Sequence, residues 1–362
     1  MAKIILFGGS FDPIHHGHFL MADQARLQIE AKQVIFIPAK NPRWKLPKLN
    51  GEHRFQMLKR YLNAYDWADV SRYELDGDEE VNYSIDTIKY FKKTHPNDEL
   101  FWLLGADQVT KFHEWKNPEL IASLVQLLVY ARPKSSINQA TISRYHMHVI
   151  TGPESNASSS AIRECQSLDT SLSVLDYIQD NYLYYVDRLG RYLDELRRNH
   201  SFEVAKLAYQ IAVSNQMNGA QAYLAGLLHD IGKNVLPPLR EKIMEEHYPH
   251  YLSLSKVNYH QFIGEFLAQE DFKIVDEEVL KAIRTHNTGA ANMRPLQMII
   301  YAADKIEPSR GFDSRSLIEA CLHDYHDGFL VTLSANRQFL INKKKKFDNP
   351  LTNACFKQYL KE

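Results

Sequence analysis

Cysteine is nearly absent. Cys165, Cys321 and Cys355 are the only thiols in 362 residues, an odd count at wide spacing that argues against a disulfide framework or a thiolate zinc site. Net charge is missing too. The 43 Lys and Arg against 44 Asp and Glu leave −1 at neutral pH, so no global field draws the chain to nucleic acid or to an anionic membrane, and any phosphate binding has to be local. No apolar stretch approaches the ~20 residues of a membrane-spanning helix. The run ahead of Gly8-Gly9 is only Ile4-Ile5-Leu6-Phe7, shorter than the apolar centre of a signal peptide. The expected setting is a reducing cytoplasm, with neither membrane nor nucleic acid as partner. Low-complexity sequence is confined to the lysines at 343–346, read as a solvated surface.

What remains is a balanced globular composition, 44% hydrophobic, in a chain long enough for roughly two domains. Residues 3–7, 34–38, 100–104 and 126–131 read as strands, alternating with helical patterns at 18–29, 54–62 and 84–92. That alternation predicts a parallel sheet with helices on both faces, binding its ligand at the carboxyl ends of the strands. Beyond a helix at 172–181 and the aromatic residues Tyr182, Tyr184 and Tyr185 the texture changes, with helices predicted at 191–213, 220–231, 259–269, 276–285 and 296–306. The expected division is an α/β domain at 1–186 and an all-α domain at 187–362.

The first strand ends in GGSFDPIHHGH, from Gly8 to His18. Gly8 and Gly9, with Ser10 and Phe11 following, let backbone N–H groups approach a phosphate closely. His15 and His18 lie three apart, on one face of a first helical turn where the dipole favours an anion, and Gly17 leaves room between them. A second phosphate-site candidate is Ser158-Ser159-Ser160-Ala161-Ile162-Arg163, hydroxyls at a helix start followed by an arginine one turn in.

These two segments together resemble the bacterial nicotinate mononucleotide adenylyltransferases of the HxGH nucleotidyltransferase superfamily. Arg54, the run Asn82-Tyr83-Ser84-Ile85-Asp86-Thr87, Gly105-Ala106-Asp107, Phe112 with Trp115, and Arg132-Pro133 follow in the family's order. The resemblance covers about half the chain. It implies a Rossmann-like fold, ATP with Mg²⁺ held by Gly8 to Phe11, Gly17 and His15 to His18, and closure of Ser158, Ser159, Ser160, Ile162 and Arg163 over the phosphates. It further implies Asp107 and Trp115 at the adenosine and pyridine ends, Lys45 on a phosphate, and Thr87, Gly105 and Arg132 among the binding residues. The implied reaction joins nicotinate mononucleotide to the α-phosphate of ATP. Nicotinamide mononucleotide or another phosphate acceptor is the alternative, since Asn41-Pro42-Arg43-Trp44-Lys45 departs from the family's usual Pro-Pro-His-Lys. Class I aminoacyl-tRNA synthetases share the histidine signature, but their lysine-rich loop and basic surface are missing here.

In the second half, His229-Asp230 closes an apolar helix, with Gly232 placed as its stop. A buried ionised aspartate needs partners, and metal ions bridged by its carboxylate would supply them. Further donors stand in helical context at His200, His260, His286 and Asp304. Four imidazoles and two carboxylates without thiolate suit iron, manganese or zinc. His323-Asp324 and His326-Asp327 lack the apolar helix and read as surface; His247 and His250 read as loop residues.

The ordered set resembles the HD superfamily, and RTHNTG at 284–289 with ADKIEP at 303–308 looks like its YqeK-type branch. That resemblance implies symmetrical hydrolysis of diadenosine tetraphosphate to two ADP at a bimetal, di-iron centre. Asp230 and Lys233 would be catalytic, and Lys233, Arg284 and Arg310 would contact phosphate. The alternatives are a nucleotide sensor built on the same ligands and hydrolysis of another nucleotide.

Overall fold

The computed structural model describes the whole chain except residues 43–46, 78–80, 132–137, 182, 345–347 and 361–362. The chain divides into two compact units. One comprises Met1–Ser160 with Asp169–Tyr177, the other Ala161–Leu168 with Ile178–Glu362.

The first unit is built on a six-stranded sheet, all of whose strand pairs are parallel. In chain order the strands are β1 (Lys3–Gly9), β2 (Gln33–Pro38), β3 (Ala68–Val70), β4 (Glu99–Gly105), β5 (Gln126–Ala131) and β6 (His148–Thr151). The four strands expected from the sequence are there, because each carries a run of consecutive buried apolar residues, as a parallel strand covered on both faces must. Two more flank them. β3 and β6 hold three and four residues and bury one each, too little for a hydrophobic period to register.

The spatial order is β3-β2-β1-β4-β5-β6. The order reverses between β1 and β4, which pair directly, Leu6 beside Trp102. Crossovers leaving these two strands run apart, and a crevice opens beyond their carboxyl ends. Gly8-Gly9 and Gly105 end these two strands.

Among the described residues the second unit contains helices and turns only. Its centre is the helix Gly219–Leu228, of which Ala222 to Leu228 are all buried. It packs against the helices Glu195–Ser214, Glu277–Thr285 and Pro295–Ile306. The pattern predicted the first of these from 191. It starts at Glu195 because Asp194 takes extended backbone angles and accepts a hydrogen bond from Arg197 N, which makes it the cap. Three further helices follow, Arg315–His323, Tyr325–Asn342 and Pro350–Tyr359. Phe329, Leu333 and Phe356 of the last two pack with Tyr301. No helix among the described residues is long and apolar enough to cross a membrane.

Candidate functional site

Beyond the carboxyl ends of β1 and β4 lies a cavity of about 1240 Å³. The β1 side contributes Gly8, Gly9, Ser10, Phe11, His15, Gly17 and His18, and the β4 side Gly105 and Asp107, with Trp115 beyond. Ser158, Ser159 and Ser160 complete the wall. Thus both phosphate-site candidates of the sequence, 140 residues apart, reach one cavity.

The histidines are set by the start of the helix His16–Ile29. His15 is the residue before it, extended, and its carbonyl accepts from the N–H groups of His18 and Phe19. Its ring lies 3.7 Å from that of His18, centre to centre, at 25°. His16 points elsewhere: its Nδ1 meets Tyr61 Oη, and its Nε2 is 3.6 Å from Asp169. A Cβ on Gly17 would come within 3.1 Å of the His15 imidazole and 3.2 Å of Ser155 Oγ, so this glycine is what allows both to stand against the helix start.

The loop between β1 and that helix is fastened from beneath. Arg54, 1% exposed, donates to the carbonyls of Ser10 at 2.8 Å, Ala39 at 2.7 Å and Leu49 at 3.2 Å. Asp12 accepts from Lys48 N at 2.7 Å, and Ser159 Oγ donates to the Pro13 carbonyl at 2.9 Å. The last bond ties the serine segment to the histidine loop.

Other candidates are placed differently. Thr87 is buried behind the wall, its hydroxyl donating to Glu74 at 2.7 Å. Ile162 is buried and Arg163 partly so, at the end of the short helix Ser159–Arg163, and both group with the second unit. Lys45 and Arg132 lie outside the described residues. The residue-by-residue reading missed Glu74, which lines the cavity. It stands in an acidic stretch that looks like surface, yet it is buried, and that burial raises its pKa against the opposing Thr87 hydrogen bond and Arg54 charge.

The second unit brings all six predicted metal ligands together. Asp230 Oδ1 lies 3.4 Å from His286 Nε2, 3.5 Å from His260 Nε2 and 3.8 Å from His229 Nε2. Asp304 Oδ1 lies 3.2 Å from His200 Nε2 and 3.6 Å from His229 Nε2. Five of the six donors form two overlapping groups, His200–His229–Asp304 and His229–Asp230–His286, and His260 stands beside the second.

Close backbone packing produces this convergence. Gly232 was expected as the stop of this helix, but the helix ends at Leu228 and its cap, His229, keeps right-handed angles. A Cβ at Gly232 would lie 2.3 Å from the His260 carbonyl and 2.6 Å from Gly264 N. The glycine therefore lets the turn after His229-Asp230 lie against the helix Tyr259–Glu270, which carries His260.

Hydrogen bonds set the tautomers. Nδ1 of His229, His260 and His286 donates to the carbonyl three residues back, Gly226 at 2.6 Å, Val257 at 2.8 Å and Ile283 at 2.7 Å. That leaves Nε2 as the lone-pair atom, facing the carboxylates. Nε2 of His229, fully buried, makes no hydrogen bond. A buried acceptor nitrogen aimed at two carboxylate oxygens that are themselves acceptors is the arrangement a cation resolves, so the donor set fits a metal.

Four cations surround the cluster. Lys233 is 3.2 Å and Arg197 3.9 Å from Asp230, while Lys305 and Arg310 each lie 2.5 Å from Asp304. Arg284 turns instead to Glu265, 3.3 Å away. Burial would raise the carboxyl pKa values of Asp230 and Asp304, but the cationic and imidazole neighbours win and hold both well below the usual range. Burial, with the charges of His286 and Lys233, pushes His260 down to about 3. His200 goes the other way. Burial opposes its charge, but hydrogen bonds to Asp304 and Glu307 raise it to about 9.

The control residues are separate. Asp324 caps the helix Tyr325–Asn342 by accepting from the N–H groups of His326 and Asp327, and the latter two are exposed. His250 lies in a short 3-10 turn, but His247, expected in a loop, is the last residue of the helix Pro237–His247, which the prolines at its start nucleate.

Residues 6–165 match the family model described as cytidylyltransferase-like, and residues 197–309 match that of the HD domain. A relative from Mycoplasma genitalium named "Probable nicotinate-nucleotide adenylyltransferase/Ap4A hydrolase" is 28% identical over 345 residues, spanning 91% of this chain and 97% of its own. A "Probable nicotinate-nucleotide adenylyltransferase" from Carboxydothermus hydrogenoformans is 37% identical over 198 residues, 51% of this chain and 98% of its own. A solved structure from Clostridium acetobutylicum, described as a "predicted HD superfamily hydrolase involved in NAD metabolism", is 33% identical over 48% of this chain and 94% of its own, with a TM-score of 0.43.

Proposed function

The chain belongs to the nicotinate-nucleotide adenylyltransferase family and carries an HD domain behind that unit, and on that premise we propose a two-site cytoplasmic enzyme divided near residue 186. Its first site transfers adenylate from ATP to nicotinate mononucleotide. Its second hydrolyses diadenosine tetraphosphate to two ADP.

For the first reaction the supporting observation is the single cavity at the β1/β4 reversal, walled by both the histidine loop and the serine segment. An oxygen of the mononucleotide phosphate attacks the α-phosphorus of ATP in line. The bond from that phosphorus to the bridging oxygen breaks, and pyrophosphate leaves with the electron pair. No side chain forms a bond. The backbone of Gly8 to Phe11, the room at Gly17 and the hydroxyls of Ser158 to Ser160 orient the triphosphate, which enters with Mg²⁺. His15 and His18 stabilise the charge that accumulates on the leaving group. Asp107 and Gly105 take the adenosine end and Trp115 the pyridine. Lys45 and Arg132 complete the proposed binding set.

For the second reaction the supporting observation is the cluster of four imidazoles and two carboxylates with cations around it. His200, His229, Asp230, His260, His286 and Asp304 would hold two transition-metal ions, proposed as iron. Bound there, the metals supply an activated water and a clamp for the phosphate under attack. Lys233 and Arg310 face the polyphosphate and offset its charge. Lys233 holds Asp230 Oδ1 while also standing 3.3 Å from His260 Nε2, close enough to the reacting centre to act on it.

Chromatographic product analysis tests both halves. Full-length protein with ATP, Mg²⁺ and nicotinate mononucleotide is expected to give nicotinate adenine dinucleotide and pyrophosphate, in excess over the product from nicotinamide mononucleotide. Supplied with Fe²⁺ or Mn²⁺ and diadenosine tetraphosphate it is expected to give ADP alone. Binding of that substrate without ADP release would instead make the HD domain a sensor.

A further inference from the structure

Three of the four histidine ligands are oriented by main-chain carbonyls three residues before them. His200 is the exception. Its Nδ1 meets a side chain, Glu307 Oε1, at 3.0 Å, while its Nε2 faces Asp304. Glu307 is 1% exposed although it lies just past the end of the helix Pro295–Ile306 and before Pro308. Ser309 fixes the carboxylate in turn, its N–H donating to Oε2 at 2.6 Å and its hydroxyl to Oε1 at 2.8 Å. Arg310 Nε lies 3.7 Å from the same Oε1. A buried carboxylate with this many donors is a fixed acceptor. It accepts the Nδ1 proton, so that Nε2 is the nitrogen turned to Asp304 and left to bind an ion.

We propose that Glu307 is the positioning residue of the metal site, acting through His200: it fixes that imidazole's tautomer and direction, so that the His200–His229–Asp304 group holds its ion. The inference rests on the metal-site reading above. Without Glu307, the His200 side chain, 19% exposed, can turn toward solvent or present N–H instead of a lone pair. The other three histidines keep their carbonyl partners. The loss is therefore local to one ion position.

The experiment is metal binding by the full-length protein, stripped with chelator and titrated with Mn²⁺, for the parent, Glu307→Gln, His200→Ala and the double variant. Outer-shell removal of this kind weakens a metal by roughly 10- to 100-fold. The expected result is such a loss for one ion in Glu307→Gln, with any other ion held as in the parent, and no additional loss from Glu307→Gln once His200 is alanine. Equal weakening of both ions, no weakening, or the same further loss in the His200→Ala background would each overturn the proposal. The parent's own stoichiometry reports separately on the two-ion reading. Adenylyl transfer and helical circular dichroism, measured on the same samples, check the fold. If Glu307→Gln does not fold, Glu307→Asp is read in its place. It keeps the charge but falls a methylene short of Nδ1, and must show the same loss confined to His200.

Discussion

Replacing Arg54 with methionine separates the support of the first cavity from its chemistry. The guanidinium is buried and donates to three carbonyls, those of Ser10, Ala39 and Leu49, at 2.7 to 3.2 Å. Hydrogen bonds from a charged donor contribute about 1.5–3 kcal/mol each, so the gross loss is about 4–9 kcal/mol. Part of it returns, because the guanidinium no longer has to be desolvated. Methionine fills much of the volume but leaves the acceptors unpaired, and the net destabilisation is about 3–5 kcal/mol. A unit of this size loses about 2–4 °C of melting temperature per kcal/mol, so its transition should fall by about 10 °C. Two of the three carbonyls belong to Ser10 and Ala39, both at the cavity, so adenylyl transfer should also fall at temperatures where the unit remains folded. Calorimetry and the transfer assay read both quantities, with diadenosine tetraphosphate hydrolysis as the internal control. A shift below about 2 °C with full transfer activity would refute the argument that these three bonds hold the loop.

Other perturbations test other steps. His18→Ala should abolish dinucleotide synthesis and spare hydrolysis, while Asp230→Ala should do the reverse; crossed effects in product chromatography would defeat the two-site assignment. His200, raised to about 9, carries a proton at pH 7 that a metal must displace. Apparent affinity for the ion held by His200 should therefore rise about tenfold per pH unit below 9 and level off above it, with about one proton released as that ion binds, measurable by titration calorimetry in buffers of different ionisation enthalpy. Chelation followed by Mg²⁺ alone should restore adenylyl transfer but leave hydrolysis inactive until a transition metal is added. Gly232→Ala puts a methyl 2.3 Å from the His260 carbonyl, a backbone clash that should cost about 3 kcal/mol in urea unfolding and weaken metal retention with it.

Much of both sites could be read along the chain because their residues are contiguous or mark element ends. Gly8 to His18 is one strand-to-helix turn, and His229-Asp230 ends an apolar helix, so local pattern and chemistry coincide. What escaped depends on packing across the fold. Arg54 sits in a helix with Glu52, His53, Gln56, Lys59 and Arg60, and nothing in that sequence says its guanidinium is turned to the core. Glu74 and Glu307 look like surface acids for the same reason, as burial is a property of what lies opposite. Gly232 has the sequence position of a helix stop, and only the helix crossing against it reveals a different role. β3 and β6 are too short to carry a period of their own.

The Nδ1 anchors of His229, His260 and His286 also set the entropy of metal capture. Immobilising a flexible side chain on binding costs about 0.5–1.5 kcal/mol, and here three imidazoles are already held by carbonyls three residues back along the chain. The ordering is completed when the polypeptide folds. An arriving ion meets rotors that are already stopped, so more of its coordination enthalpy is retained as affinity, and its departure leaves the carbonyl anchors of these three rings in place.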